Sequence, residues 1–212
     1  MFFVSQRINF TKKSGFTLAE VLVTLMVIGI IATITIPTLL QTTNERELKT
    51  AWKKTFSDLS QAYKLIAQEN GGSFVGLCAT GNHNCLRDKF AANLNVLKTC
   101  TTPLTPGNCW HNKEISSFDQ ILGENSGIII NNGTYISLDM DSKHCTVILD
   151  GMLYCGKIVV DVNGAKGPNI EGKDIFGAYI LKNSIIPVGK PGSDYSCTNG
   201  IGIGCSANAL IE

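Results

Sequence analysis

From Phe16 to Ile36 the chain runs through 21 residues whose only ionisable side chain is Glu20. An unbroken apolar run of this kind predicts a helix without a polar face. At ~1.5 Å per residue it spans roughly 30 Å, the thickness of a bilayer core. Backbone groups in lipid must bond internally, which again requires a helix. Past Pro37 the pattern becomes one-sided: Leu48, Trp52, Thr55, Phe56, Leu59, Ala62, Tyr63 and Ile66 recur every third or fourth residue among charged neighbours. This predicts an amphipathic continuation that stops at Asn70-Gly71-Gly72. A helix from Phe16 to Glu69 would be roughly 80 Å long. Pro37 lacks an amide hydrogen and clashes with the preceding turn, so it is expected to kink or locally melt the helix, or to mark the end of the membrane span.

After residue 70 the period shortens to that of strands. "GIIINNGTYISLDM" predicts a hairpin, with strands Ile128 to Asn131 and Thr134 to Leu138 around a two-residue Asn132-Gly133 turn. "CTVILDGMLYC" repeats the theme around Asp150-Gly151, and "KIVVDV" and "IFGAYILKN" read as further strands. The expected class is α+β, a long N-terminal helix packed on an antiparallel sheet in a disulfide-stabilised roll. Three parts follow: residues 1–15, a helix over 16–70 with its span at 16–36, and a β-rich globular domain over 71–212.

Charge and cysteine then orient the molecule. Net charge over 212 residues is +1, which gives no global field for nucleic acid. Residues 1–15 hold Arg7, Lys12 and Lys13 and no acid, leaving 15 basic against 17 acidic residues, net −2, in the rest. Basic residues before the span hold that end in the cytoplasm and place the remainder on the far side. All eight cysteines lie there: Cys78, Cys85, Cys100, Cys109, Cys145, Cys155, Cys197 and Cys205. An even number beyond a membrane span reads as a disulfide framework. Zinc is the rival, since His83, His111 and His144 each sit within two residues of a cysteine, but no cysteine pair has the short separation of a structural zinc site. Nearest neighbours would pair 78–85, 100–109, 145–155 and 197–205, and only the last two pairings are favoured by the hairpin and the short spacing, among 105 connectivities.

A secretory signal also begins basic and continues apolar, but its core is shorter and is cut on its far side at a small-x-small site. Here only "ATI" and "TIP" follow the core, so the segment is expected to stay on the protein. A carboxylate inside such a span is costly and by default functional. "K-K-S-G-F-T-L-A-E" followed by some twenty apolar residues resembles the leader and N-terminus of type IV pilins and type II secretion pseudopilins. The resemblance covers about residues 12 to 40, and Ala19 is smaller than the branched residue often found at its position.

That resemblance implies a membrane peptidase that cuts after Gly15 and methylates the new amine of Phe16. It implies residence in the bacterial cytoplasmic (inner) membrane as a single-pass protein, then a filament of copies of itself and related subunits. Prepilin peptidase, an inner-membrane assembly platform and membrane lipid would be its other partners. Glu20 would pair with the Phe16 amine of a neighbouring subunit, which gives assembly direction and register, and Pro37 would loosen the helix for packing.

"DVNGAKGPNIEGKDIF" gathers hard oxygen donors at Asp161, Asn163, Asn169, Glu171 and Asp174, of the kind calcium prefers. The helix-loop-helix calcium pattern does not fit, because Lys166 and Gly172 occupy its glycine and terminal acid positions. Several pseudopilins bind calcium in a late loop; turn geometry alone would also explain the Asn, Gly and Pro. No catalytic constellation is present: there is no Gly-x-Ser-x-Gly elbow, phosphate loop or His-Glu-x-x-His. The expected function is structural, a pilin or pseudopilin and not an enzyme. The alternative is a single-pass anchor for a binding or hydrolytic domain.

Overall fold

In the computed structural model the described residues are 15–101, 108–111, 125–149, 151–189, 195, 197, 200 and 202–211. Residues 1–14, most of the leader, lie outside them. The chain divides into two compact units at Thr43 and Asn44. Helix α1 (Leu18–Glu69) is assigned continuously through Pro37, so the local melting expected there is not observed. In the first unit its apolar side chains face outward, and none of the Leu18–Pro37 window is buried within the chain.

The second unit holds the amphipathic part of α1, then α2 (His83–Ala91), β1 (Val96–Cys100), β2 (Ser126–Ile130), β3 (Tyr135–Met140), β4 (Val147–Leu149), β5 (Met152–Asp161), β6 (Ile175–Leu181), β7 (Ile185–Pro187) and α3 (Cys205–Ile211). The strands form one antiparallel sheet in the order β1-β2-β3-β5-β6-β7, with β4 pairing on β5. Two short helices, α2 and α3, were not expected. At nine and seven residues they are too short to show a full apolar period.

Alternation along the strands sends one set of side chains toward α1. Ile136 faces Val160 across β3 and β5, Leu138 faces Ile158, and Phe176 and Ala178 continue the row on β6. Against them α1 lays Trp52, Leu59, Ala62, Tyr63 and Ile66, all buried. Trp52 stacks on Phe176 at 5.0 Å and its Nε1 donates to the Ser206 carbonyl at 2.9 Å. Tyr63 stacks on Phe74 at 4.3 Å and its hydroxyl donates to the Leu181 carbonyl at 3.0 Å. Each such side chain is worth about 2 kcal/mol of burial, and each polar tip has found an acceptor. The opposite face of the sheet is covered too, with Trp110, Tyr154, Val159, Tyr179 and Ile203 in a second core. Burial on both faces is why β5 and β6 read as nearly continuous apolar runs.

Turn chemistry closes the elements. Helix α1 ends with Gly71 in the left-handed region at φ 71 and a Gly72 amide bonded to the Ala67 carbonyl at 2.7 Å, a Schellman stop. The β2–β3 hairpin corrects the expected turn. Gly133 N–H donates to Ile130 C=O at 2.8 Å and Ile130 N–H to Thr134 C=O at 3.1 Å, so the loop has three residues, Asn131 to Gly133. Gly133 at φ 87 serves as the bulge after the turn rather than as its centre. All four nearest-neighbour disulfides are formed: 78–85, 100–109, 145–155 and 197–205.

One mostly buried ionic cluster ties α2 to the sheet. Asp139 and Lys157 are directly opposite across β3 and β5, with Nζ 3.1 Å from Oδ2, and Lys157 also lies 4.0 Å from Asp141. His83, the first residue of α2, places Nδ1 3.0 Å from Asp139 Oδ1. Burial alone would raise the Asp139 pKa. The hydrogen bond with His83 and the Lys157 charge outweigh it and hold the carboxyl below its ordinary 3.8. Tyr154 beside the cluster is pushed up to about 12 by burial and then by Asp141. A carboxylate with a depressed pKa stabilises the fold above its unfolded value, and that contribution is lost as pH falls through the folded value. Thermal unfolding followed by circular dichroism should therefore show stability falling as the pH drops below 3.8. Asp139→Asn should be less stable at neutral pH and flatten that decline by up to about 1.4 kcal/mol per pH unit.

Candidate functional site

The first turn of α1 is built by two residues. Thr17 is the N-cap: its hydroxyl oxygen accepts the Glu20 amide at 3.3 Å, while Glu20 Oε2 accepts the Thr17 amide and the Thr17 hydroxyl, both at 2.8 Å. This is a capping box, Thr-x-x-Glu, in which two amides that no helical carbonyl can reach are satisfied reciprocally. The pattern was legible in "FTLAE", but the helix was expected to start at Phe16, so the box was missed. Phe16 and Leu18 project into the surroundings, 88% and 81% exposed.

The remaining polar side chains of the span need nothing from outside. Thr24 donates to the Val21 carbonyl at 2.9 Å, Thr33 to Ile30 at 2.8 Å and Thr35 to Ile31 at 3.0 Å. Hydroxyls folded back in this way cost little in lipid. Glu20 differs. Its Oε2 carries both Thr17 bonds, and no cationic side chain among the described residues pairs with the carboxylate. The Leu18–Pro37 window has a mean hydropathy of 2.3 and a single acid. This arrangement orients a carboxylate at the head of the apolar helix, with no countercharge among the described residues.

Residues 10–36 match the family described as the prokaryotic N-terminal methylation motif. The chain carries a prepilin-type N-terminal segment. The motif marks a prepilin-like protein processed by prepilin peptidase, in a class typically made of non-enzymatic structural subunits. The apolar helix is consistent with an inner-membrane anchored prepilin. No curated protein and no solved structure matches the chain.

The second site expected from sequence is the β5–β6 loop, and the structure brings most of its donors together. Asp161 is buried; Oδ1 accepts the Asn163 amide at 3.2 Å and Oδ2 lies 3.1 Å from His111 Nε2. Asp174, also buried, uses both oxygens to hold the Asn169 and Ile170 amides at 2.7 Å. Asn163 donates to the Gly167 carbonyl at 3.2 Å, while Asn163 Oδ1 and Asn169 Oδ1 are buried without a donor. Glu171 is half-buried, and its carbonyl accepts the Gly202 amide at 2.8 Å. Burial raises the Asp161 pKa, and the Asp174 charge adds to it against the opposing contact with His111. Among the described residues, no three acidic, histidine or cysteine side chains form a metal-binding group.

His111 is the member of this site that sequence reasoning missed. Zinc was set aside there in favour of disulfides, and Cys109 is indeed bonded to Cys100, while the imidazole meets Asp161. Only a long-range contact reveals that role.

The capping box makes a direct prediction. Thr17→Val keeps shape and removes the hydroxyl, so hydrogen exchange at the Glu20 amide in micelles should speed up roughly fivefold. Unchanged exchange would mean that the first turn is held by something other than this box.

Proposed function

We propose that this chain is a structural subunit of a type IV pilus-like filament, a pilin or type II secretion pseudopilin. It is cut between Gly15 and Phe16, methylated on the Phe16 amine and assembled through its N-terminal helix. The observation that carries this reading is the charge balance of the first turn. Glu20 is held by Thr17 with no countercharge among the described residues, inside a motif that marks the cleavage of the chain before Phe16. Cleavage creates an ammonium at Phe16 that stays cationic when methylated. Staggered copies set that amine of one subunit against Glu20 of another, which turns a costly carboxylate into half of an ion pair. The assembly platform of the cytoplasmic membrane and prepilin peptidase are then its partners, and the disulfide-bonded domain stands outside the cytoplasm.

N-terminal mass spectrometry tests the processing. A mature chain starting at methylated Phe16 is expected, and an intact Met1 would favour a plain membrane anchor bearing a binding or hydrolytic domain. Glu20→Ala should be cleaved and inserted normally yet fail to enter filaments; normal filaments from this variant would remove the pairing role.

We also propose that calcium is held in the β5–β6 loop by Asp161, Asn163, Asn169, Glu171 and Asp174. Support comes from the two donorless buried amide oxygens and from the neighbouring Asp161 and Asp174 carboxylates, whose mutual repulsion a divalent cation would relieve. Saturating calcium should raise the melting temperature over that in chelator by about 2–8 °C. Identical melting would mean that these side chains serve the turn alone.

A further inference from the structure

We propose that the globular unit carries a binding cleft for a neutral saccharide, distinct from the first turn of α1 and from the β5–β6 loop. The cleft has a volume of about 440 Å³, within the usual range for small-ligand sites, about 300–1,000 Å³. Lys54, Asp58 and Gln61, on successive turns of α1, line one side. Asn93 and Asn95, between α2 and β1, and Asn131 and Asn132, in the β2–β3 turn, line the other. Ala62, Leu65, Leu94 and Ile130 supply apolar surface between them.

Some of these polar groups are consumed by the fold. Asn93 Nδ2 donates to the Lys89 carbonyl at 3.1 Å, Asn132 Oδ1 accepts the Thr134 amide at 3.1 Å, and Gln61 Nε2 donates to Ser57 Oγ at 3.3 Å. Turn and cap chemistry therefore explain those residues. The side chains of Asn95 and Asn131, both exposed at the mouth of the cleft, are not engaged in this way. These two residues are fastened together through the backbone, Asn131 N–H to Asn95 C=O at 3.0 Å, and neither amide side chain bonds to a described residue. Lys54 and Asp58 lie one helical turn apart, yet they form no ion pair with each other or with any other described residue.

The lining selects its ligand by elimination. One cation balanced by one anion gives no attraction for phosphate or for a polyamine. A single carboxylate is too few for a hard metal ion, and the polar walls would strand an acyl chain against unsatisfied amides. Side-chain amides offer a donor and an acceptor together, the complement of hydroxyl groups, which are also both. The aliphatic surface suits the C–H face of a sugar ring. With no aromatic side chain in the lining, binding is weak and specificity comes from the amides.

The full processed chain, in a detergent whose headgroup is not a sugar, is titrated with lactose, maltose, cellobiose and chitobiose under saturation-transfer NMR. At least one disaccharide should give saturable transfer in the millimolar range. Asn95→Ala combined with Asn131→Ala should weaken it roughly tenfold, with the melting temperature confirming the fold. Asp58→Ala, at a half-buried position of α1, provides a second variant that leaves both turns intact and should also weaken binding. No saturable transfer from any of the four sugars overturns the proposal. So does transfer unaffected by these variants, or preferential binding of glucose 6-phosphate or glucosamine over its neutral counterpart.

Discussion

Apolar side chains have to be kept from water along all of α1, and the chain itself does this for only part of the helix. From Leu48 to Ile66 the apolar stripe is answered by the sheet, side chain against side chain, with Trp52 and Tyr63 each finding an acceptor for the polar tip. From Leu18 to Pro37 no answering surface is found among the described residues. At about 25 cal/mol per Å² of apolar surface, leaving such a segment in water would offset much of what a domain core contributes. A second solvent is therefore a condition of the fold. Lipid supplies one, and a bundle of like helices supplies another of similar character.

Within that solvent Glu20 is the single group that both helps and harms. It is helpful because helices begin with bare amides that lipid cannot satisfy, and its carboxylate meets that of Thr17. It is harmful because the same carboxylate keeps a charge where charge is expensive. A glutamine at this position of the capping box would accept the same amide without that penalty. Capping thus explains the geometry of Glu20 but not its ionisable character, and no cationic side chain among the described residues pairs with it.

Legibility followed the range of the forces involved. The span, the amphipathic stripe and the stop at Gly71-Gly72 are set by neighbours a few residues away, so α1 could be read to within two residues of its observed start. The hairpins were visible as alternation and turn residues, although the Asn131-Asn132-Gly133 sequence admits two registers and the three-residue loop won. Short disulfide loops could be paired because nearest neighbours were in fact bonded. What escaped was non-local or too brief to have a period: α2, α3, the pairing of His111 with Asp161, and the cluster of His83 with Asp139 and Lys157. Even β5 and β6, covered on both faces, hide the alternation that would tell one side from the other. At Pro37 the helix continues, so of the outcomes expected there local melting is not seen, while the apolar window does end at that residue.

Different constraints act on the two ends of the molecule. The N-terminal segment has to present a cleavable glycine, a terminal amine, a carboxylate four residues further on and an apolar surface, so few sequences satisfy it. The sheet asks only for alternation, turns and a stripe opposite α1, which many sequences supply. Processing chemistry is therefore concentrated in some two dozen residues, within the part matched by the methylation motif. What distinguishes this subunit from others built the same way has to reside on the globular surface, where side chains are free of both requirements. Asn95 and Asn131 fit that description: their backbones are bonded to each other, and their side chains are exposed on that surface.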